Sequence, residues 1–158
     1  MDVKVKDVMT RDVIKVHQDA TLQELVEIFI GNRLSGLPVI DKTDRLVGIV
    51  SKTDLVTHGL ENELSALLKE KMPRSSYMEL PDFDNLLGSE SIHATVADLM
   101  TTDVITADPD MDVMDVIKIM LDKKIHRIVV VKDEKIEGIL TTVDLVKMVG
   151  EILKNKGV

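Results

Sequence analysis

Two stretches of the sequence set a glycine, a hydroxyl and a carboxylate at one spacing. Gly48-Ile49-Val50-Ser51-Lys52-Thr53-Asp54 and Gly138-Ile139-Leu140-Thr141-Thr142-Val143-Asp144 share the pattern Gly-x-x-Ser/Thr-x-x-Asp. An apolar, β-branched run ends at each hydroxyl and a helical pattern starts just after it. The hydroxyl is therefore expected at a helix N-terminus, where free backbone N–H groups and the helix dipole favour an anion such as phosphate. The Asp one turn in could accept hydrogen bonds from a ribose diol. The Gly would let a ligand approach the backbone. The same spacing is also a capping box, which needs no ligand. A repeated fold repeats its caps, so finding the pattern twice leaves both readings open.

A second candidate is Lys123-Lys124-Ile125-His126-Arg127, just before the strand-like run Ile128-Val129-Val130. A His-Arg pair at a strand's edge offers two phosphate ligands, and the alternative is a solvated basic loop. The first half of the chain has Arg33-Leu34-Ser35-Gly36 in the matching place and is far less basic. No catalytic constellation accompanies these residues. There is no Cys, and His17, His58, His93 and His126 lack the spacing of a metal site. Nothing resembles a nucleophile with its base, so the expectation is a non-enzyme without catalytic residues, metal or enzymatic cofactor.

The elements that would position these residues occur twice. Val5-Lys6-Asp7-Val8-Met9-Thr10-Arg11-Asp12-Val13-Ile14 aligns with Val96-Ala97-Asp98-Leu99-Met100-Thr101-Thr102-Asp103-Val104-Ile105. Leu22, Leu25, Val26, Phe29 and Ile30 then match Val113, Val116, Ile117, Met120 and Leu121, the stripe of an amphipathic helix. Leu37-Pro38-Val39-Ile40 and Leu46-Val47-Gly48-Ile49-Val50 read as a strand hairpin. Their counterparts are Ile128-Val129-Val130-Val131 and Ile136-Glu137-Gly138-Ile139-Leu140. Each copy closes with a helix. The first is expected to stop near Gly59, whereas the second continues through Val146, Val149, Ile152 and Leu153 to a C-cap at Gly157. The expected class is α+β, two pseudo-symmetric β-α-β-β-α units. The expected boundaries are 1–60 and 95–158, with a 61–94 insert between them. In the insert, Glu63 to Lys71 reads as a helix stopped by Pro73, and Leu80, Phe83, Leu86 and Leu87 give the following loop some apolar content.

Composition narrows the partners. The 158 residues carry a net charge of −8 and only 2% aromatics, against 44% hydrophobic residues overall. The core must be aliphatic. Both the charge and the lack of stacking platforms argue against nucleic acid. No signal peptide or membrane-length apolar run is legible, and the expected compartment is the cytoplasm.

The Asp-Val-Met-Thr and Asp-Leu-Met-Thr openings, Leu37-Pro38-Val39-Ile40-Asp41 and the paired Gly-x-x-Ser/Thr-x-x-Asp turns together resemble a tandem pair of CBS domains, the Bateman module. The resemblance leaves out most of the insert. It implies that the two units pack through their sheets and form clefts that bind adenine nucleotides (AMP, ADP or ATP) or S-adenosylmethionine. It also implies a homodimer and a regulatory role exerted on an unknown partner protein. Lys124 to Val131 is similar to the last repeat of the gamma subunit of AMP-activated protein kinase. That similarity implies that Asp144 holds ribose, that Thr141, His126 and Arg127 face phosphate, and that Thr10, Ile14, Ser35 and Ile139 line the adenine end. A mirror site would use Ile49, Ser51, Asp54, Thr101 and Ile105. Val143 stands where the kinase subunit has a hydroxyl, which implies one phosphate contact fewer. Gly36 replaces the Arg of the mirror position, which implies a weaker second site. A ligand-free dimerisation module whose turns are only caps is the other reading.

Overall fold

Helix starts in this chain are written in side-chain hydrogen bonds. Thr21 and Glu24 form a capping box. The Thr21 N–H and hydroxyl donate to the Glu24 carboxylate at 2.8 and 3.1 Å, and the Glu24 N–H donates back to Thr21 Oγ1 at 3.2 Å. Asp112 accepts from the Met114 N–H at 2.8 Å. Helices α2 (Leu22–Asn32) and α5 (Val113–Lys123) follow these caps. Both are followed by a residue in the left-handed region, Arg33 at φ 53° and Lys124 at φ 54°, which turns the chain into a strand.

The computed structural model describes residues 3–57, 94–155 and 157. The expected insert helix and loop, and the expected stop near Gly59, lie outside them. The elements in chain order are α1 (Val5–Val8), β1 (Val16–His17), α2, β2 (Gly36–Ile40), β3 (Leu46–Ser51), α3 (Lys52–Thr57), α4 (Val96–Leu99), β4 (Thr106–Ala107), α5, β5 (Arg127–Lys132), β6 (Lys135–Thr141) and α6 (Thr142–Asn155). They form two three-stranded sheets, ordered β1-β2-β3 and β4-β5-β6. The α+β class is as the repeat implied. The sequence motif gave no sign of the short helices α1 and α4, which each fill four residues ahead of the Met-Thr pair. Gly157 takes φ 70° just past α6, as expected of a C-cap.

The chain forms two compact units that cut across the repeats. Unit 1 comprises Met1–Ile14, Asp44–Leu46 and Val104–Val158, and unit 2 comprises Lys15–Thr43 and Val47–Asp103. The opening segment of each repeat thus belongs with the sheet of the other repeat. In unit 1, β4 lies parallel to β5 and β5 antiparallel to β6, with Thr106 opposite Val129 and Val129 opposite Ile139. The β5–β6 turn places both Asp133 and Glu134 at positive φ, the geometry that matches a two-residue hairpin to strand twist. Val5, Met9, Val113, Val116, Met120, Ile128, Val130 and Leu140 form the core of unit 1. In unit 2, β1 lies parallel to β2, and Leu25, Val26, Phe29, Leu37, Val39, Val50, Leu55, Val96 and Leu99 form the core.

Two apolar stripes depart from expectation. Leu121, the last member of the α5 stripe, is 71% exposed. On α6, Val146, Val149 and Leu153 also face solvent, and the buried side of the helix runs instead through Asp144, Leu145, Met148 and Ile152.

Candidate functional site

The corner of unit 1 is built where β6 ends and α6 begins. Thr141 is the last residue of β6, and Asp144 lies one turn into a 14-residue helix. The Thr141 N–H and hydroxyl donate to Asp144 Oδ2 at 2.9 and 2.6 Å, and the Asp144 N–H donates to Thr141 Oγ1 at 3.3 Å. This is a capping box with Asp in the acidic position. The His126 carbonyl accepts from the Thr142 N–H at 3.0 Å and closes the next backbone donor. His126 and Arg127 are both exposed at the start of β5, where Arg127 pairs with Thr141.

The opening segment of the chain crosses this corner. Thr10 and Ile139 exchange both backbone hydrogen bonds at 2.9 Å. Thr10 Oγ1 then donates to Asp144 Oδ1 at 3.2 Å. Asp144 is left 7% exposed and is the buried charged residue among the described ones. Three donors reach its carboxylate, which accounts for its tolerance of burial. The segment is held further down by Val5 N–H to the Met111 carbonyl and Lys6 N–H to the Pro109 carbonyl, each at 3.0 Å. Lys6 and Lys132 Nζ both reach the Asp110 carboxylate, at 2.6 and 2.9 Å. Their hydrogen bonds and charges hold the Asp110 carboxyl down to about 2.

Unit 2 carries the mirror corner. Ser51 N–H and hydroxyl donate to Asp54 Oδ2 at 2.6 and 2.8 Å. Thr101 and Ile49 exchange backbone hydrogen bonds at 2.8 and 2.9 Å. Asp54 is half-buried and Thr101 exposed, and among the described residues no donor reaches Asp54 Oδ1. The Ser35 carbonyl accepts from the Lys52 N–H at 3.1 Å, as the His126 carbonyl does from Thr142.

The structure therefore gathers Thr10, Ile139, Thr141 and Asp144 by direct bonding, with His126 and Arg127 one strand away and Ile14 at the end of the opening segment. Ser35 belongs to unit 2. Ile49, Ser51, Asp54 and Thr101 come together in unit 2, whereas Ile105 packs against the core of unit 1.

The glycine of each motif has a different purpose from the one its spacing suggested. A Cβ on Gly138 would lie 2.5 Å from Met9 Sδ and 2.9 Å from the Thr10 carbonyl oxygen. On Gly48 it would lie 2.7 Å from Met100 Sδ and 3.0 Å from the Thr101 carbonyl oxygen. The space is filled by the crossing segment and not kept for a ligand. Sequence reasoning also missed a cavity of about 440 Å³ between α1 and α6, lined by Val3, Val8, Met148, Ile152 and by Asp144 itself. Its signal was hidden because α1 was unforeseen.

Comparison with known proteins fits this architecture. The CBS domain family model matches residues 5–61 and 96–151. The uncharacterized protein MJ1426 of Methanocaldococcus jannaschii is 34% identical over 151 residues, covering 90% of this chain and 89% of that protein. Further curated relatives match most of this chain, but it spans only 23% to 42% of their length. The crystal structure of CBSX2 in complex with AMP superposes with a TM-score of 0.70 at 28% identity, covering 94% of this chain and 97% of that one. The CBS domain pair of protein MJ0100, in complex with 5′-methylthioadenosine and S-adenosyl-L-methionine, gives a TM-score of 0.66 at 25% identity, covering 96% and 98%. Among the described residues no helix is long and apolar enough to cross a membrane. With both repeats matched and the fold shared across nearly the whole chain, this protein belongs to the CBS-domain family as a tandem pair.

Proposed function

We propose that the chain is a non-catalytic regulatory module that binds an adenine nucleotide at the unit 1 corner. Asp144 would receive the ribose hydroxyls, and Thr141, His126 and Arg127 would face phosphate. Ile14 and Ile139 would flank the base, with the backbone of Thr10, and not its hydroxyl, beside them. The observation that carries this reading is the Asp144 carboxylate, buried at a helix start beside an exposed His-Arg pair. Relatives of the same fold in complex with AMP, or with 5′-methylthioadenosine and S-adenosyl-L-methionine, support it. Isothermal titration with AMP, ADP and ATP tests it. Saturable binding that Asp144→Ala weakens at least about tenfold is expected, the worth of a charge-assisted hydrogen bond. No heat up to millimolar ligand would overturn it. The S-adenosylmethionine reading is separated by Arg127→Ala, because a cationic ligand without phosphate gains little from that guanidinium.

A second copy of the chain is the proposed partner of α6. Val143, Val146, Val149 and Leu153 form an exposed apolar stripe, and Gly150 lies in it with open space above its backbone. Lys147 and Glu151 flank the stripe, so an antiparallel copy of the helix would set opposite charges face to face. Sedimentation or light scattering should find a dimer that Val146→Glu converts to monomer, and a monomeric parent would exclude it.

A further inference from the structure

We infer that Thr10 is a selectivity residue, one that limits how many ribose hydroxyls the unit 1 corner can hold. This rests on the nucleotide-binding reading above. A carboxylate offers about four acceptor directions. On Asp144, Oδ2 already accepts the Thr141 N–H and hydroxyl, and Oδ1 accepts Thr10 Oγ1. One direction is left, on Oδ1. A cis-diol that donates through both hydroxyls needs two, so the second can be seated only when Thr10 lets go.

Thr10 is placed to be that competitor. It is the exposed member of the set, whereas Thr141 is partly buried and belongs to the cap. Its bond is the longest of the three at 3.2 Å, well beyond the usual hydroxyl–carboxylate distance. It is thus the easiest to displace and the one on the solvent side. The backbone of Thr10 is fixed to Ile139 by two hydrogen bonds, so release requires only side-chain rotation. Unit 2 supplies the contrast. Thr101 has the same backbone exchange with Ile49, yet Asp54 Oδ1 accepts from no described residue.

Calorimetric titration of AMP and of 2′,3′-dideoxy-AMP into the parent, Thr10→Val, Thr10→Ser and Thr101→Val measures the effect. Thr10→Val should bind AMP tighter, by roughly fivefold, about one net hydrogen bond. Its preference for AMP over the dideoxy form should widen by a similar factor. Thr10→Ser keeps the hydroxyl and should match the parent, as should Thr101→Val at the unit 1 site. Parent-like affinity and preference in Thr10→Val would overturn this inference while leaving the binding site intact. Weaker AMP binding in Thr10→Val would overturn it too, by making Thr10 a ligand contact and not a competitor. If neither the parent nor Thr10→Val binds either ligand, the underlying reading of the corner falls, and this inference with it.

Discussion

The two corners descend from one sequence pattern and differ in how closed they are. In unit 1 the carboxylate of Asp144 is nearly out of solvent and holds three donors, one of them from a distant part of the chain. In unit 2 the carboxylate of Asp54 holds two, both from Ser51. The backbone is the same in both, down to the exchanged hydrogen bonds of Thr10 with Ile139 and Thr101 with Ile49. The repeat therefore fixes the scaffold, and single side chains decide what each scaffold offers. His126-Arg127 against Ser35-Gly36 is one such difference, and the Thr10 hydroxyl is another. A symmetric fold with unequal side chains is a sufficient basis for two sites with different ligand demands.

The backbone identity breaks first at the motif glycines. Gly138→Ala should destabilise the protein by roughly 1–3 kcal/mol, the usual cost of overpacking. Met9 can swing aside, but the Thr10 carbonyl oxygen at 2.9 Å is backbone and cannot. Gly48→Ala faces the Thr101 carbonyl at 3.0 Å and should cost slightly less. Urea denaturation of both variants measures this. A loss well below 1 kcal/mol for Gly138→Ala would mean that the opening segment is not seated on β6.

A second difference separates the carboxylates. Asp144→Ala leaves the part-buried Thr141 N–H and hydroxyl without their acceptor, while the exposed Thr10 hydroxyl can turn to water. The expected cost is about 1–3 kcal/mol without ligand. Asp54→Ala strands fewer donors at a more solvated position and should cost about 1 kcal/mol or less, near an ordinary cap. Equal losses, measured by the same denaturation series, would say that burial at the two corners does not differ.

Much of this was readable in advance because it is local. The helix stripes, the hairpins and the caps depend on residues within a turn or two of each other, and periodicity reports them. The capping role of Thr141–Asp144 and Ser51–Asp54 was legible as one of two readings, and the structure contains the cap in both units. What was not legible depends on residues far apart in sequence. Met9 over Gly138 and Thr10 on Asp144 are separated by well over a hundred positions, and no spacing rule links them. The glycine was consequently assigned to a ligand's approach when a methionine occupies the place. The exposed valines of α6 were hidden for a related reason, since an apolar stripe looks the same whether it meets a core or solvent. The division into units was also not legible, since Ser35 and Ile105 each fall in a different compact unit from the motif Asp they are expected to work with, and no local pattern reports that.

The last contrast lies in how each opening segment is fastened. In unit 1 Lys6 and Lys132 clasp Asp110, whereas the repeat-equivalent positions around Asp19 in unit 2 begin with Ala97 in place of Lys6. Asp110 is charged in the folded protein down to about pH 2, below the ordinary carboxyl value of 3.8. A carboxyl pKa depressed by folding contributes stability above the unfolded value and loses it as pH falls through the folded one. The clasp should therefore act at neutral pH and fade between about pH 4 and pH 2. Its members are solvent-exposed, so the effect is small and screened by salt. Carbon-detected NMR should place the Asp110 carboxyl midpoint near 2 in the parent. Asp110→Asn should lower the melting temperature slightly at low salt and pH 7, and the difference should shrink in molar salt and as pH falls toward 2. Asp19→Asn should not reproduce this salt dependence, since Ala97 stands where unit 1 has Lys6. An Asp110 midpoint at the ordinary value would show that the two lysines do not hold it, and that the opening segment of unit 1 relies on backbone bonds and packing alone.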